Sequence, residues 1–137
     1  TNWKDVGGDD RKITVLGREA ASGTRDGFES IFKCAKKCKY AAELSSTGEV
    51  VNKIGNDRGS IGYVSLDSLN NSIKAVDIDH VKVNEENIVN GTYKAQRPFI
   101  EIYKKGTDSD LVKAWFAFVQ SDEGKAVIKK AGLVTVK

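Results

Sequence analysis

Residues 13–35, ITVLGREAASGTRDGFESIFKCA, join two hydrophobic periods with no hairpin turn between them. Ile13 to Leu16 are mostly β-branched and apolar and read as a short strand. Phe28, Ile31, Phe32 and Ala35 then recur at i, i+3, i+4 and i+7, the spacing of one helix face, so a helix is predicted from near Ser22. A strand that feeds directly into a helix pairs with a strand reached after that helix, which makes the neighbour parallel.

The remainder repeats the alternation. SSTGEVVNKIG supplies Ser46 or Thr47 as an N-cap, Glu49 in the first turn, Val50, Val51 and Ile54 as a buried side and Gly55 as a stop. GSIGYVSL and IKAVDIDHV read as strands, the second through Ile73, Ala75 or Val76, and Ile78. NEENIVNGTY predicts one or two helical turns ended by Gly91. Beyond Pro98, FIEIYKK is a further predicted strand, and Leu111, Val112, Trp115, Phe116 and Val119 form the strongest helical stripe in the chain. SDEGKAVIKKAG opens on a Ser121 cap and closes at Gly132, with LVTV as a final candidate strand. The predicted fold is α/β, a mainly parallel sheet flanked by helices.

A chain of 137 residues suits one compact domain, and its 39% hydrophobic and 30% charged residues are ordinary for a globular protein able to bury a core. Its 22 basic and 19 acidic residues are spread along the sequence, which favours anionic ligands only weakly, and no nucleic-acid partner is expected. No apolar run approaches the roughly 18 residues that a membrane helix needs. The opening TNWKDVGG has no signal-peptide pattern, so the sequence reads as mature or excised. Cys34 and Cys38 stand four apart, predicted on or under a helix, where a disulfide would strain the geometry, so none is expected. With His80 far away in sequence, no metal site is expected either.

The loop that joins the first strand and helix carries the chemistry. The first amides of a helix lack internal partners and sit at the positive end of its dipole, which suits an anion. Gly23 permits close approach, Ser22 and Thr24 bring hydroxyl donors, and Arg18 brings a forked guanidinium matched to a tetrahedral oxyanion. The same residues have plainer uses: Ser22 as a cap, Gly23 as a turn and Arg18 as a solvated loop charge. Neither GxxxxGK[ST] nor GxGxxG is present.

TNWKDVGG, REAASGTRDGF, STGEVVNKIGNDRGSIGYVSL, ENIVNGTYKAQRPF and FVQSDEGKAVIKKAGLVTV, in that order, resemble the substrate-binding protein of the bacterial phosphate ABC importer, a type II periplasmic-binding-protein-like family. The resemblance implies two α/β lobes closing on one phosphate, with Arg18, Ser22, Gly23 and Thr24 as the second lobe's ligand-binding residues and no cofactor. Arg25 either assists or is salt-bridged, and the helix start at Ser46 and Thr47 either faces the cleft or serves as a cap. By the same resemblance residues 1–96 form the second, ligand-binding lobe. Residues 97–137 form a return segment belonging to a first lobe whose amino-terminal part is absent, and with it an acidic residue that would accept a proton from hydrogenphosphate and repel sulfate.

The function so implied is extracytoplasmic capture of inorganic phosphate, in the periplasm or as a Gram-positive cell-surface lipoprotein, and delivery to an ABC permease without turnover. The missing lobe or a self-associated copy is the partner expected to cover the apolar return segment. The alternatives are a binding protein for sulfate or molybdate, or a phosphate-site enzyme. The enzyme reading needs a base beside Ser22, and His80, in DIDHV, reads instead as a turn or strand-edge residue.

Overall fold

A computed structural model describes residues 1–107 and 109–135. Its centre is a three-stranded parallel sheet in the order β2-β1-β3, formed by β1 (Thr14–Arg18), β2 (Ala42–Leu44) and β3 (Ser60–Ile61). β1 divides its length between its neighbours: Thr14 and Val15 pair with Ser60 and Ile61, whereas Leu16, Gly17 and Arg18 pair with Ala42, Glu43 and Leu44. The strand that opens the sequence pattern is therefore the central one. Its helix, α1 (Gly23–Ile31), connects it to β2, and α2 (Thr47–Asn56) connects β2 to β3; both helices pack on β1.

Short polar residues set where these helices begin. Ser22 caps α1 by accepting from the Arg25 amide, and Ser46 caps α2 by accepting from the Glu49 amide. Leu16 and Val50 are fully buried, and with Tyr93 they are the buried hydrophobic residues among those described. Trp3, in a 3-10 turn at Trp3–Val6, donates its indole N–H to the Gly59 carbonyl at 3.0 Å and fastens the amino-terminal segment beside β3.

α3 (Glu85–Val89) ends at Asn90, with Gly91 beyond it at φ 78. Then α4 (Asp110–Gln120) and α5 (Asp122–Lys130) pack on each other around Ser121, which closes one helix and caps the next. Among the described residues this hairpin meets the preceding segment through the Trp115 indole, which donates to Glu101 at 3.0 Å, and through Tyr103 against Phe116, and it meets the rest of the molecule near its far end, through a Lys129–Glu85 ion pair at 3.4 Å and the approach of Gly132 to Asp67.

Several predicted elements take other forms. α1 stops at Ile31, so Ala35 lies outside it, because Lys33 (φ 53) and Lys36 (φ 62) turn the backbone into the left-handed region. α2 passes Gly55 and ends at Asn56. GSIGYVSL contributes only Ser60 and Ile61 to a ladder. IKAVDIDHV forms no strand: Ile78 and Val81 bridge across a tight turn at Asp79 and His80, both at positive φ. FIEIYKK forms no strand, and no strand among the described residues lies beside it. Leu133 to Thr135 are likewise irregular, and Val136 of the LVTV pattern lies outside the described residues. Each pattern is suited to a strand, but a strand exists only where a neighbour accepts its backbone bonds.

The core is smaller than the composition suggests. Phe99, Ile100, Ile102, Leu111 and Trp115 are exposed, Ile102 to 88%. The accessible surface is 10284 Å², against about 7,000 Å² for a compact monomer of this mass.

Candidate functional site

Because parallel strands run the same way, the carboxyl ends of β1 and β2 lie on one rim, where the chain turns into α1 and α2. Crevices at such rims are where open parallel sheets hold ligands. Arg18 is the last residue of β1 and its side chain is only 12% exposed. Its amide donates to the Tyr63 hydroxyl at 3.0 Å, and Tyr63 stacks on Phe28 of α1 with ring centroids 4.3 Å apart. The Arg18 backbone is thus tied to aromatic packing at the root of α1.

The guanidinium is fully engaged on one edge. Nε and Nη2 donate to the two carboxylate oxygens of Glu19 at 2.9 and 3.0 Å. Nη1 donates to the Thr47 hydroxyl at 2.6 Å, and Nη2 also reaches the Ser45 carbonyl at 3.4 Å. The bidentate bond holds the Glu19 carboxyl below its usual range and pushes the Arg18 guanidinium above its own. A carboxylate therefore sits where the fork would take any other planar or tetrahedral oxyanion.

Two helix starts border this loop. Ser22 is buried, receives a bond from Arg25 through its hydroxyl and gives its amide to the Glu19 carbonyl at 3.0 Å. The amides of Gly23 and Thr24 take no acceptor among the described residues, and the same holds for Thr47 and Gly48 at the start of α2. Each pair leaves partial positive charge at its helix end.

The candidates separate as follows. Arg18 and Thr47 are brought into direct contact, Ser46 caps α2, and Ser22, Gly23 and Thr24 form the entry to α1. The Arg18 guanidinium makes no hydrogen bond to Ser22, Gly23 or Thr24. Arg25 turns back toward the sheet, pairing with Glu29 at 2.8 Å and Glu43 at 3.0 Å and donating to the Arg18 carbonyl at 2.9 Å. Its guanidinium also lies 5.0 Å from the ring centre of Tyr40, whose hydroxyl donates to Glu29. Arg25 is a brace under the loop that carries Arg18.

Sequence reasoning missed Glu19, Tyr40, Tyr63 and Arg97. Glu19 is adjacent to Arg18, and its charge was a legible signal. Tyr63 comes from the segment after β3, and Arg97 from a segment that only the fold brings to α1. The arm of Arg97 crosses α1 so closely that a Cβ on Gly27 would meet its Cδ at 2.7 Å, with Nη2 near Gly23. His80 is exposed in its turn, and no group of three or more metal-ligating side chains occurs among the described residues.

Residues 1–123 match the family model described as the PBP superfamily domain. The chain is 32% identical over 132 residues to phosphate-binding protein PstS 2 of Streptococcus agalactiae, covering 89% of this chain and 45% of that one. PstS 2 of Streptococcus pneumoniae serotype 4 is 33% identical, with 91% and 46% covered. Among solved structures, a phosphate ABC transporter substrate-binding protein of Clostridium perfringens with bound phosphate superposes with a TM-score of 0.89 at 35% identity, over 100% of this chain and 57% of that one. An ABC-type phosphate transport receptor of Vibrio cholerae superposes with a TM-score of 0.82 at 31% identity, with 98% and 57% covered. The chain spans about half the length of the curated relatives it matches. With a mixed α/β fold and a family match over most of its length, the chain belongs to the PBP superfamily.

Proposed function

We propose that this chain carries the ligand-binding lobe of a protein that captures inorganic phosphate outside the cytoplasmic membrane and hands it to an ABC permease, with no chemical turnover. The observation that carries the reading is Arg18: a largely buried guanidinium at the carboxyl end of the central strand, in contact with one helix start and one loop removed from another. The relatives support the ligand, since they are phosphate-binding proteins by name and one structure holds phosphate.

In this reading Arg18, Ser22, Gly23 and Thr24 contact the anion, with Thr47 and Ser46 at the edge of the same crevice and Arg25 as support. Phosphate displaces Glu19 from the Arg18 fork and gains the unpartnered amides of Gly23 and Thr24. Residues 1–96 form this lobe, and residues 97–137 pass into an opposing lobe that completes the clamp and covers the apolar face of α4. Closure then follows from contacts the ligand makes to both lobes at once.

Isothermal calorimetry on the intact protein tests this. Arg18→Ala is expected to weaken phosphate binding by about 2–5 kcal/mol, the range for truncating one side of a buried charge-assisted contact, while Lys36→Ala changes it little. Equal affinity for wild type and Arg18→Ala overturns the reading. Steady release of phosphate from phosphate esters, lost in Ser22→Ala, would favour an enzyme instead.

A further inference from the structure

We infer that Cys34 and Cys38 are a redox pair that closes to an intramolecular disulfide and clasps the segment between α1 and β2. Both thiols are free, and they lie beyond the end of α1, so the rigid spacing of a helix does not hold them apart. Two features of the backbone bring them together. Lys33 and Lys36 take left-handed conformations on either side of Cys34, and the Lys37 amide closes a turn onto the Cys34 carbonyl at 2.9 Å. The two sulfurs stand 3.1 Å apart, with Cys38 Sγ also 3.4 Å from the Cys34 carbonyl oxygen. Bond formation therefore requires little movement of the chain, and both residues are partly exposed, so an external disulfide can reach them.

Burial assigns an order to the exchange. Cys34 is disfavoured as the first nucleophile, because burial pushes its thiol up to about 11. The Cys38 thiolate attacks a low-molecular-weight disulfide such as oxidised glutathione, forming a mixed disulfide and expelling one thiolate. Cys34 then gives up its proton and attacks the Cys38 sulfur, expelling the second. The pair loses two electrons, the small disulfide gains two, and the two leaving thiolates take up the protons that the cysteines release.

The clasp acts on the site's foundation. Two residues beyond Cys38, Tyr40 packs over Gly17 of β1 and donates to Glu29, the partner of Arg25. A bridge at Cys34 and Cys38 limits the conformations open to this segment when the chain is unfolded, so the oxidised protein is the more stable.

Trypsin reads the bond directly, since cleavage after Lys33, Lys36, Lys37 and Lys39 separates the cysteines unless a bridge joins them. The intact protein is reduced, treated with oxidised glutathione, alkylated under denaturing conditions and digested. The expected result is the fragments Cys34–Lys36 and Cys38–Lys39 joined and unalkylated, separating only on reduction. Oxidised wild type should melt above reduced wild type, whereas the double variant Cys34→Ser, Cys38→Ser melts equally after either treatment. Two alkylated cysteines, two separate glutathione adducts or bridges only between molecules overturn the pair. A joined fragment with an unchanged melting temperature overturns the clasp.

Discussion

A carboxylate already fills the Arg18 guanidinium fork, so under the proposed function an incoming anion has to exchange with Glu19. Beneath it, Glu29 is held below its usual range first by Arg25 and also by the Tyr40 hydroxyl, so its ionised form favours the folded state. That contribution is complete above the unfolded value of about 4.3 and is lost as pH falls through the lower folded value. Thermal melts on acidification below about pH 5 should therefore show falling stability, with a shallower fall in Glu29→Gln. A second prediction concerns Gly17, where a Cβ would meet three ring atoms of Tyr40 at 2.6 to 2.7 Å. The ring is fixed by Glu29 and Arg25, so Gly17→Ala should destabilise by about 1–3 kcal/mol in urea titration, the usual cost of overpacking. Ser22 and Arg18 were legible as site candidates because their types and spacing are local. The contact of Arg18 with Thr47 spans 29 residues, and nothing in either neighbourhood announces it.

Caps and breaks decide the elements. Ser22, Ser46 and Ser121 each precede a helix in the sequence and each caps it in the structure, since capping needs only the amide two or three residues on. Ser121 does more: it accepts from the Gly124 amide at 3.1 Å and donates to the Phe118 carbonyl at 2.6 Å, sealing α4 and α5 with one hydroxyl. Ser121→Ala should cost about 1 kcal/mol in chemical denaturation and, under the proposed function, leave phosphate affinity unchanged. The end of α1 was not legible, because Phe32 and Ala35 continue the apolar period after the backbone has left the helix at Lys33. The predicted strands over 73–81 and 99–105 failed for a different reason. Alternation records which residues suit a pleated surface, while pairing depends on which other segment arrives alongside.

For the whole molecule, the excess of roughly 3,000 Å² over a compact monomer is the size of a large protein interface. Much of the exposed apolar area is concentrated in Phe99, Ile100, Ile102, Leu111 and Trp115, on α4 and the unpaired segment before it. At roughly 25 cal/mol per Å² of apolar surface, leaving such a face in water favours association. Sedimentation of the 137-residue chain alone should show mass rising with concentration, and Ile102→Lys with Leu111→Lys should return it to a monomer; a monomeric wild-type chain at all concentrations contradicts this. The unpaired strand-like segment has one more consequence. Proteases draw substrates out as extended chains, and Phe99 to Tyr103 are exposed and free of ladder bonds, with Lys104 and Lys105 at their end. Brief digestion should nick the chain there before it cuts the many lysines of the helices, leaving a fragment with the sheet and Arg18 intact and another with the α4–α5 hairpin.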